Sequence, residues 1–190
     1  MLEHRGRGHA LGKASRWRLT ATGLEVERTG QPPFTLPLGD VVAVHLAHDP
    51  TKYASNRYRC DLDCRDGSIL SNFSRYEMMT AATDGAESYR ALIEALIPRI
   101  AAANPACRFY KGRRMRFVLL LGLTGPVLAL TAFILGGIAG MGALDRLLLI
   151  QAAFAIGLMV GAGNAYARWP RPFPPDRLPA GILPAPGKGR

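Results

Sequence analysis

Two long stretches of this chain carry no charged side chain. Residues 117–144 contain no Asp, Glu, Lys or Arg, residues 147–167 contain none either, and only Asp145 and Arg146 stand between them. A helix needs about 20 predominantly apolar residues to cross the hydrocarbon core of a bilayer, and each stretch reaches that length. The sequence therefore predicts a membrane α-helical hairpin, with a first transmembrane helix at 115–139 and a second at 145–167. Pro126 lies inside the first, where it removes one backbone donor, which membrane helices tolerate. Gly136, Gly137, Gly140 and Gly142 suit the turn that follows. In a chain of 190 residues, the remainder has room for one small soluble domain.

Lysine and arginine counts near the helix ends set the orientation. Arg108, Lys111, Arg113, Arg114 and Arg116 precede the first helix, and Arg168, Arg171 and Arg177 follow the second, whereas the turn offers only Arg146 beside Asp145. This bias places both termini in the cytoplasm. Arg113, Arg114, Arg116, Arg168, Trp169 and Arg171 are the expected membrane-interface residues. Phe109, Tyr110 and Tyr166 would join Trp169 at the headgroup level, where amphipathic rings prefer to sit. The net charge of +10 is read first as topology and contact with the lipid bilayer, whose inner leaflet is anionic. No basic groove with stacking aromatics stands out, so nucleic acid is not an expected partner.

Small residues recur every four positions in both apolar stretches: Ala132, Gly136 and Gly140 in the first, and Ala153, Gly157, Gly161 and Ala165 in the second. Such stripes let helix backbones approach closely. They fit helix packing within one hairpin, the favoured reading, or the face of a homodimer. Gln151 and Asn164 are the strongly polar side chains inside the spans. Two isolated amides do not make an ion pathway, which calls for intramembrane ionisable groups.

Ahead of the hairpin the pattern is that of a soluble α+β domain. Residues 1–15 are basic and hold no apolar run, so they lack the core of a signal peptide and are expected to form a disordered basic arm. From residue 16 to residue 73 hydrophobicity alternates with period two. Trp17, Leu19 and Ala21 share a face before a turn at Thr22-Gly23, and Leu24 and Val26 continue it. Pro37 marks residues 34–38 as an edge strand, and a more continuous apolar run follows at 41–48. Residues 57–64 form the clearest strand. Tyr58, Cys60, Leu62 and Cys64 face one way, while Arg57, Arg59, Asp61 and Asp63 make a solvated face of alternating charge. Asp66-Gly67 signals a hairpin into residues 68–73, with a last short strand at 76–80.

The period then becomes helical. Asp84 and Glu87 have the spacing of a capping box, and Tyr89, Leu92, Ile93, Leu96 and Ile100 share a helical face that would cover a sheet. A break is expected at Pro98. Residues 16–107 make up this domain, 108–116 a basic juxtamembrane linker and 168–190 a Pro-rich cytoplasmic tail. The tail should be extended, with Phe173, Leu178, Ile182 and Leu183 as apolar anchors.

His45, His48, Cys60 and Cys64 invite a zinc reading, but four ligands must converge on the metal. On a strand His45 and His48 point to opposite faces. The three cysteines, Cys60, Cys64 and Cys107, argue against a disulfide framework in a cytosolic domain. No phosphate-binding glycine loop precedes a helix, and no nucleophile elbow is present. No catalytic set, metal or cofactor is expected, and the chain reads as non-enzymatic.

Six or seven antiparallel strands closed by one C-terminal helix is the order of elements in a pleckstrin-homology-like roll. In this order, over residues 16–103, and in its hairpin, the chain resembles bacterial inner-membrane proteins that carry a PH-like (YcxB-like) domain beside a transmembrane hairpin. The resemblance implies an antiparallel β roll capped by a helix, an interaction or regulatory role with a protein partner, and no defined activity. Lipid-binding PH domains resemble one another in a basic loop between the first two strands. Here that loop would be Thr22-Gly23, followed by Glu25 and Glu27, so phosphoinositide binding does not carry over. The expected function is a membrane-anchored interaction or regulatory module. The alternative is a small accessory subunit of a transporter or other membrane complex, acting through its hairpin.

Overall fold

The computed structural model describes residues 2–6, 14–50, 56–77, 82–115, 120, 124–140 and 142–185. The chain forms two compact units, Met1–Lys111 with Arg171–Arg190, and Gly112–Pro170. The first unit is an α+β fold of two larger sheets, a two-stranded ribbon and one long helix.

The alternating segments fold as antiparallel strands. β1 (Leu2–Gly6), β2 (Ser15–Leu19), β3 (Leu24–Arg28) and β4 (Phe34–Leu36) form a four-stranded sheet in that order, with β4 at its edge. Trp17 pairs with Val26 and Leu19 with Leu24, and all four side chains are buried in the core.

β1 corrects the expectation of a disordered arm over residues 1–15. Leu2–Gly6 pairs with β2 along its whole length, from Leu2↔Leu19 to Gly6↔Ser15. The backbone of β2 offers an open ladder, and the inward residue of β1 is the polar His4. Residues 7–13 lie outside the described residues. Thr22-Gly23 thus joins the second strand to the third, so it is not the segment between the first two strands that the PH-like comparison concerns.

β5 (Val41–His48), β6 (Tyr58–Cys64) and β7 (Ile69–Phe73) form a second antiparallel meander, with a bulge between Val41 and Ala43. In the β6–β7 turn the Ser68 N–H donates to Asp66 Oδ1 at 2.8 Å. β8 (Arg75–Glu77) and β9 (Ala82–Asp84) make the small ribbon. Residues 78–81, part of the strand expected at 76–80, lie outside the described residues.

α1 (Ala86–Ala103) buries Tyr89, Leu92, Ile93, Leu96, Ile97 and Ile100 against the sheets. It starts one residue later than the capping-box spacing predicts: Gly85 is the N-cap, and no side chain caps it. The helix also runs through Pro98. Proline in a helix interior costs about 3 kcal/mol, and the buried Ile97 and Ile100 hold both halves of the helix on the core across that site.

The segment expected as a juxtamembrane linker, 108–116, begins as a strand. β10 (Arg108–Lys111) runs parallel to β5 and antiparallel to β11 (Arg171–Pro172), so the second sheet has the order β11-β10-β5-β6-β7. Alternate residues of a strand face opposite ways. Phe109 therefore enters the core instead of a headgroup layer, and Tyr110 stacks on His45 with ring centroids 5.0 Å apart.

The Pro-rich tail closes the same unit. The Phe173 N–H donates to Phe109 O at 3.0 Å, and the Arg90 guanidinium donates to Pro184 O at 2.9 Å. Phe173 and Ile182 are core residues, with Leu178 and Leu183 packed beside them.

Ile182 is only 1% exposed, so replacing it by Ala should destabilise the unit by about 2–5 kcal/mol. Denaturant unfolding of the full-length protein in detergent measures this, followed through Trp17 fluorescence with Trp169 changed to Phe. A tail resting loosely on the surface would give a change within about 0.5 kcal/mol.

Candidate functional site

The second unit consists of α2 (Thr124–Ile138) packed on α3 (Ala143–Arg168). Its burial is inverted relative to that of a water-soluble helix pair. The buried positions are the small residues Ala132, Gly136, Gly157 and Gly161. Val127, Leu130, Phe133, Ile134, Leu147 and Met159 are exposed, and Ile138 reaches 79% exposure. Covering one such side chain contributes about 1.5–3 kcal/mol, so this surface gains from being covered.

α3 is long and apolar enough to cross a membrane over Ala143–Tyr166, and among the described residues it is the one helix that is. α2 holds a shorter apolar stretch, Pro126–Ile138. Of the expected first span at 115–139, residues 116–119 and 121–123 lie outside the described residues.

Of the six expected helix-packing residues, Ala132, Gly136, Gly157 and Gly161 are buried and Ala153 is half-buried. Gly140 does not belong with them. It lies exposed in the turn that joins the two helices. Polar groups within the pair are satisfied locally: Thr131 Oγ1 donates to Val127 O and Asn164 Nδ2 to Val160 O, both at 2.9 Å. Back-bonding of this kind supplies a partner where no water is present.

The ends of this unit meet at an open neck. The Arg113 N–H donates to Arg168 O at 2.9 Å. Gly112 has φ +117, and a Cβ there would come within 2.6 Å of Trp169 O and 2.9 Å of Arg168 O. Glycine is the residue that tolerates both the positive φ and the close approach. The neck thereby gathers Arg113, Arg114 and Arg168 beside the exposed Trp169. Arg116 lies outside the described residues. Arg171 belongs to the first unit, exposed in β11 as the register partner of Lys111.

In the first unit, the strand face expected to be solvated is partly covered: Arg57 and Asp61 are buried, and Arg59 and Asp63 are half-buried. Asp61 is 3% exposed. Arg59 Nε donates to its Oδ1 at 2.6 Å, and the register places His45 and Ser71 on either side of it. Arg57 donates to Asp49 Oδ2 at 2.8 Å, with both side chains buried. The Arg57 and Arg59 guanidinium groups each lie 5.2 Å from the Phe73 ring centroid.

On the outer face of the first sheet, Glu3 bridges Arg16 at 2.9 Å and Arg18 at 3.1 Å, while Glu27 and Glu25 approach the same two arginines. The Glu3 carboxylate holds the Arg18 guanidinium above its ordinary value. Exposed pairs of this kind contribute about 0–1 kcal/mol each, and they leave little net charge for an anionic ligand.

Cys60, Cys64 and Cys107 are free and buried. Burial pushes all three thiols up, Cys107 to about 11, so none is an activated nucleophile. Among the described residues no three His, Cys, Asp or Glu side chains converge as metal ligands. Comparison with protein-family models, with curated proteins and with solved structures found no match.

One polar pair is not signalled by sequence spacing at all. His4 Nε2 lies 2.7 Å from Phe73 O, and its Nδ1 lies 2.8 Å from Ser88 Oγ. A carbonyl only accepts, so Nε2 carries a proton. Burial lowers the pKa of the ring below its ordinary 6.5, which favours the neutral form. In neutral imidazole the other nitrogen is an acceptor, so Ser88 donates to Nδ1. The partners stand 84 positions apart, and one lies in a segment with no strand-like pattern.

Two outcomes follow. Gly157→Leu or Gly161→Leu should separate α2 from α3 and lower the hairpin's thermal stability, with no change in oligomeric state by cross-linking in detergent. Loss of a cross-linked dimer would instead assign the stripe to a homodimer face. The second concerns pH. Above 6.5 His4 is neutral whether folded or unfolded. As the pH falls below 6.5 the unfolded chain takes up the proton first, so stability drops by up to about 1.4 kcal/mol per pH unit until the folded ring is protonated as well. His4→Gln should show less acid-side loss between pH 7.5 and pH 5. Parallel curves for the two proteins would remove His4 as the cause.

Proposed function

We propose that this protein is a membrane-anchored interaction or regulatory module, with a helical hairpin crossing the inner membrane twice and a cytoplasmic PH-like domain. The inverted burial of α2 and α3 carries this reading. Small residues meet inside the pair while large apolar residues cover its outside, as lipid-facing helices require.

Chain topology supports two crossings. Lys111 and Arg171 are register partners in one sheet, so the segment between them must leave and return on the same side of any membrane. With α3 crossing, as its length and composition allow over Ala143–Tyr166, the proposal takes a second crossing to precede it. The orientation follows from charge: Arg113, Arg114 and Arg168 gather at the neck, whereas the turn end holds Arg146, which lies 6.0 Å from the Phe133 ring centroid. By the positive-inside bias the neck faces the cytoplasm.

The PH-like part of the proposal draws on element order, with a four-stranded meander, a second meander and then one long amphipathic helix. Binding is the role this assigns to the exposed parts. The arginines of the neck meet anionic headgroups in a salt-dependent way, because charges at a surface are screened over about 8 Å at physiological ionic strength. The soluble unit meets a protein partner. An accessory subunit working through its hairpin is less well supported, since Thr131 and Asn164 are bonded to their own helices.

Reporter fusions test the topology. A reporter active only outside the cytoplasm should be silent when fused after Arg190 and active when inserted beside Gly140. Activity at Arg190 would mean an odd number of crossings and would end the proposal.

A further inference from the structure

We propose that Ser88 is a nucleophile activated by His4, and that the cleft in front of it hydrolyses small neutral esters. This adds chemistry to the soluble unit beyond the anchoring and binding described above. Ser88 is exposed in the first turn of α1 and lines a cleft of about 550 Å³ with Asn56, Tyr58, Glu87 and Pro184.

Three elements fix the base. The β7 end supplies Phe73 O, which holds the Nε2 proton at 2.7 Å and leaves the Nδ1 lone pair on Ser88 Oγ at 2.8 Å. The Tyr89 ring meets the imidazole edge to face at 5.4 Å. Gly85 lets the ring lie close against the start of α1, where a Cβ would come within 2.7 Å of His4 Cε1. Ser88 Oγ is also 3.1 Å from Gly85 O. The hydroxyl has a single proton, and Nδ1 is the nearer and more basic acceptor. Nucleophile and base are thus within hydrogen-bond reach, and the base is oriented by a third group. That third group is a neutral carbonyl where the familiar triad has a carboxylate.

The surroundings favour acyl transfer to serine over anion binding. Ser88 lies in the first turn of α1, where the positive end of the helix dipole favours negative charge developing on the reacting carbonyl oxygen. Glu87 lines the cleft, and its negative charge disfavours phosphate and carboxylate substrates.

In the reaction, Ser88 Oγ forms a bond to the ester carbonyl carbon while its proton passes to His4 Nδ1. The C–O bond to the alcohol then breaks, and the departing oxygen takes that proton. Water next gives a proton to Nδ1 as its oxygen bonds to the acyl carbon. Ser88 Oγ leaves, recovers the proton and releases the acid.

The test uses full-length protein in detergent micelles, a fluorophosphonate probe and p-nitrophenyl acetate. The wild type should label once, at Ser88 by peptide mass spectrometry, and hydrolyse the ester. Ser88→Ala should lose both while keeping the wild-type circular dichroism spectrum. His4→Gln keeps a donor for Phe73 O and an acceptor for Ser88 but no base, so hydrolysis should fall by about 10²-fold or more. A purely structural tie would survive that change with no effect on reactivity. An unlabelled Ser88, hydrolysis equal in wild type and Ser88→Ala, or full activity in His4→Gln would each overturn the proposal.

Discussion

β10 holds the molecule's plan together. This four-residue strand lies parallel to β5 on one side and antiparallel to β11 on the other. Its inward side chain, Phe109, meets Phe173 from the tail with ring centroids 6.0 Å apart. The chain departs for its two apolar helices directly after β10 and rejoins the sheet at β11. That single adjacency accounts for the order in a tail rich in proline. The tail has few backbone donors of its own to satisfy, and it gains a sheet edge and a place in the core. The same return path draws Gly112 against Arg168 and Trp169 at the neck.

The two units bury opposite kinds of side chain. In the first, large apolar side chains from both sheets and α1 are hidden, and charged residues are matched with a partner close by, as with Asp61 and Arg59 or Asp49 and Arg57. A buried charge left unpaired would be costly, which is why these pairs are short and geometrically defined. In the second, glycine and alanine are hidden and the large side chains look outward. Helix contact there rests on close backbone approach at Ala132, Gly136, Gly157 and Gly161 and on dispersion.

What could be seen from sequence was whatever depends on side-chain period. Trp17, Leu62 and Leu96 announced the core because alternation and helical spacing place them there, and all three are fully buried. The apolar helix over Ala143–Tyr166 was visible for another reason, the length of a stretch almost without charged side chains. β1 was hidden because its inward residue is a histidine and its ladder uses only backbone atoms. β10 was masked by Arg108 and Lys111, whose exposed charges outweigh a single buried phenylalanine in any window average. Asp61 shows a different limit. Alternation reveals which face a residue lies on but not whether neighbouring strands cover that face. The His4–Ser88 pair lay beyond reach altogether, since contact between chain segments so far apart leaves no local pattern.

The split of the first unit around the hairpin has a consequence for biosynthesis. Synthesis runs from the N-terminus, so residues up to 111 emerge with one sheet edge bare and part of the core open. They stay that way until both helices and the tail have followed. A chain cut before Arg171 cannot complete the sheet, and Phe109 then lacks Phe173 beside it. Such a chain would keep unfinished apolar surface where proteases and chaperones can find it. Completion of the fold thus waits on the tail, and a truncated copy is marked by its own incompleteness.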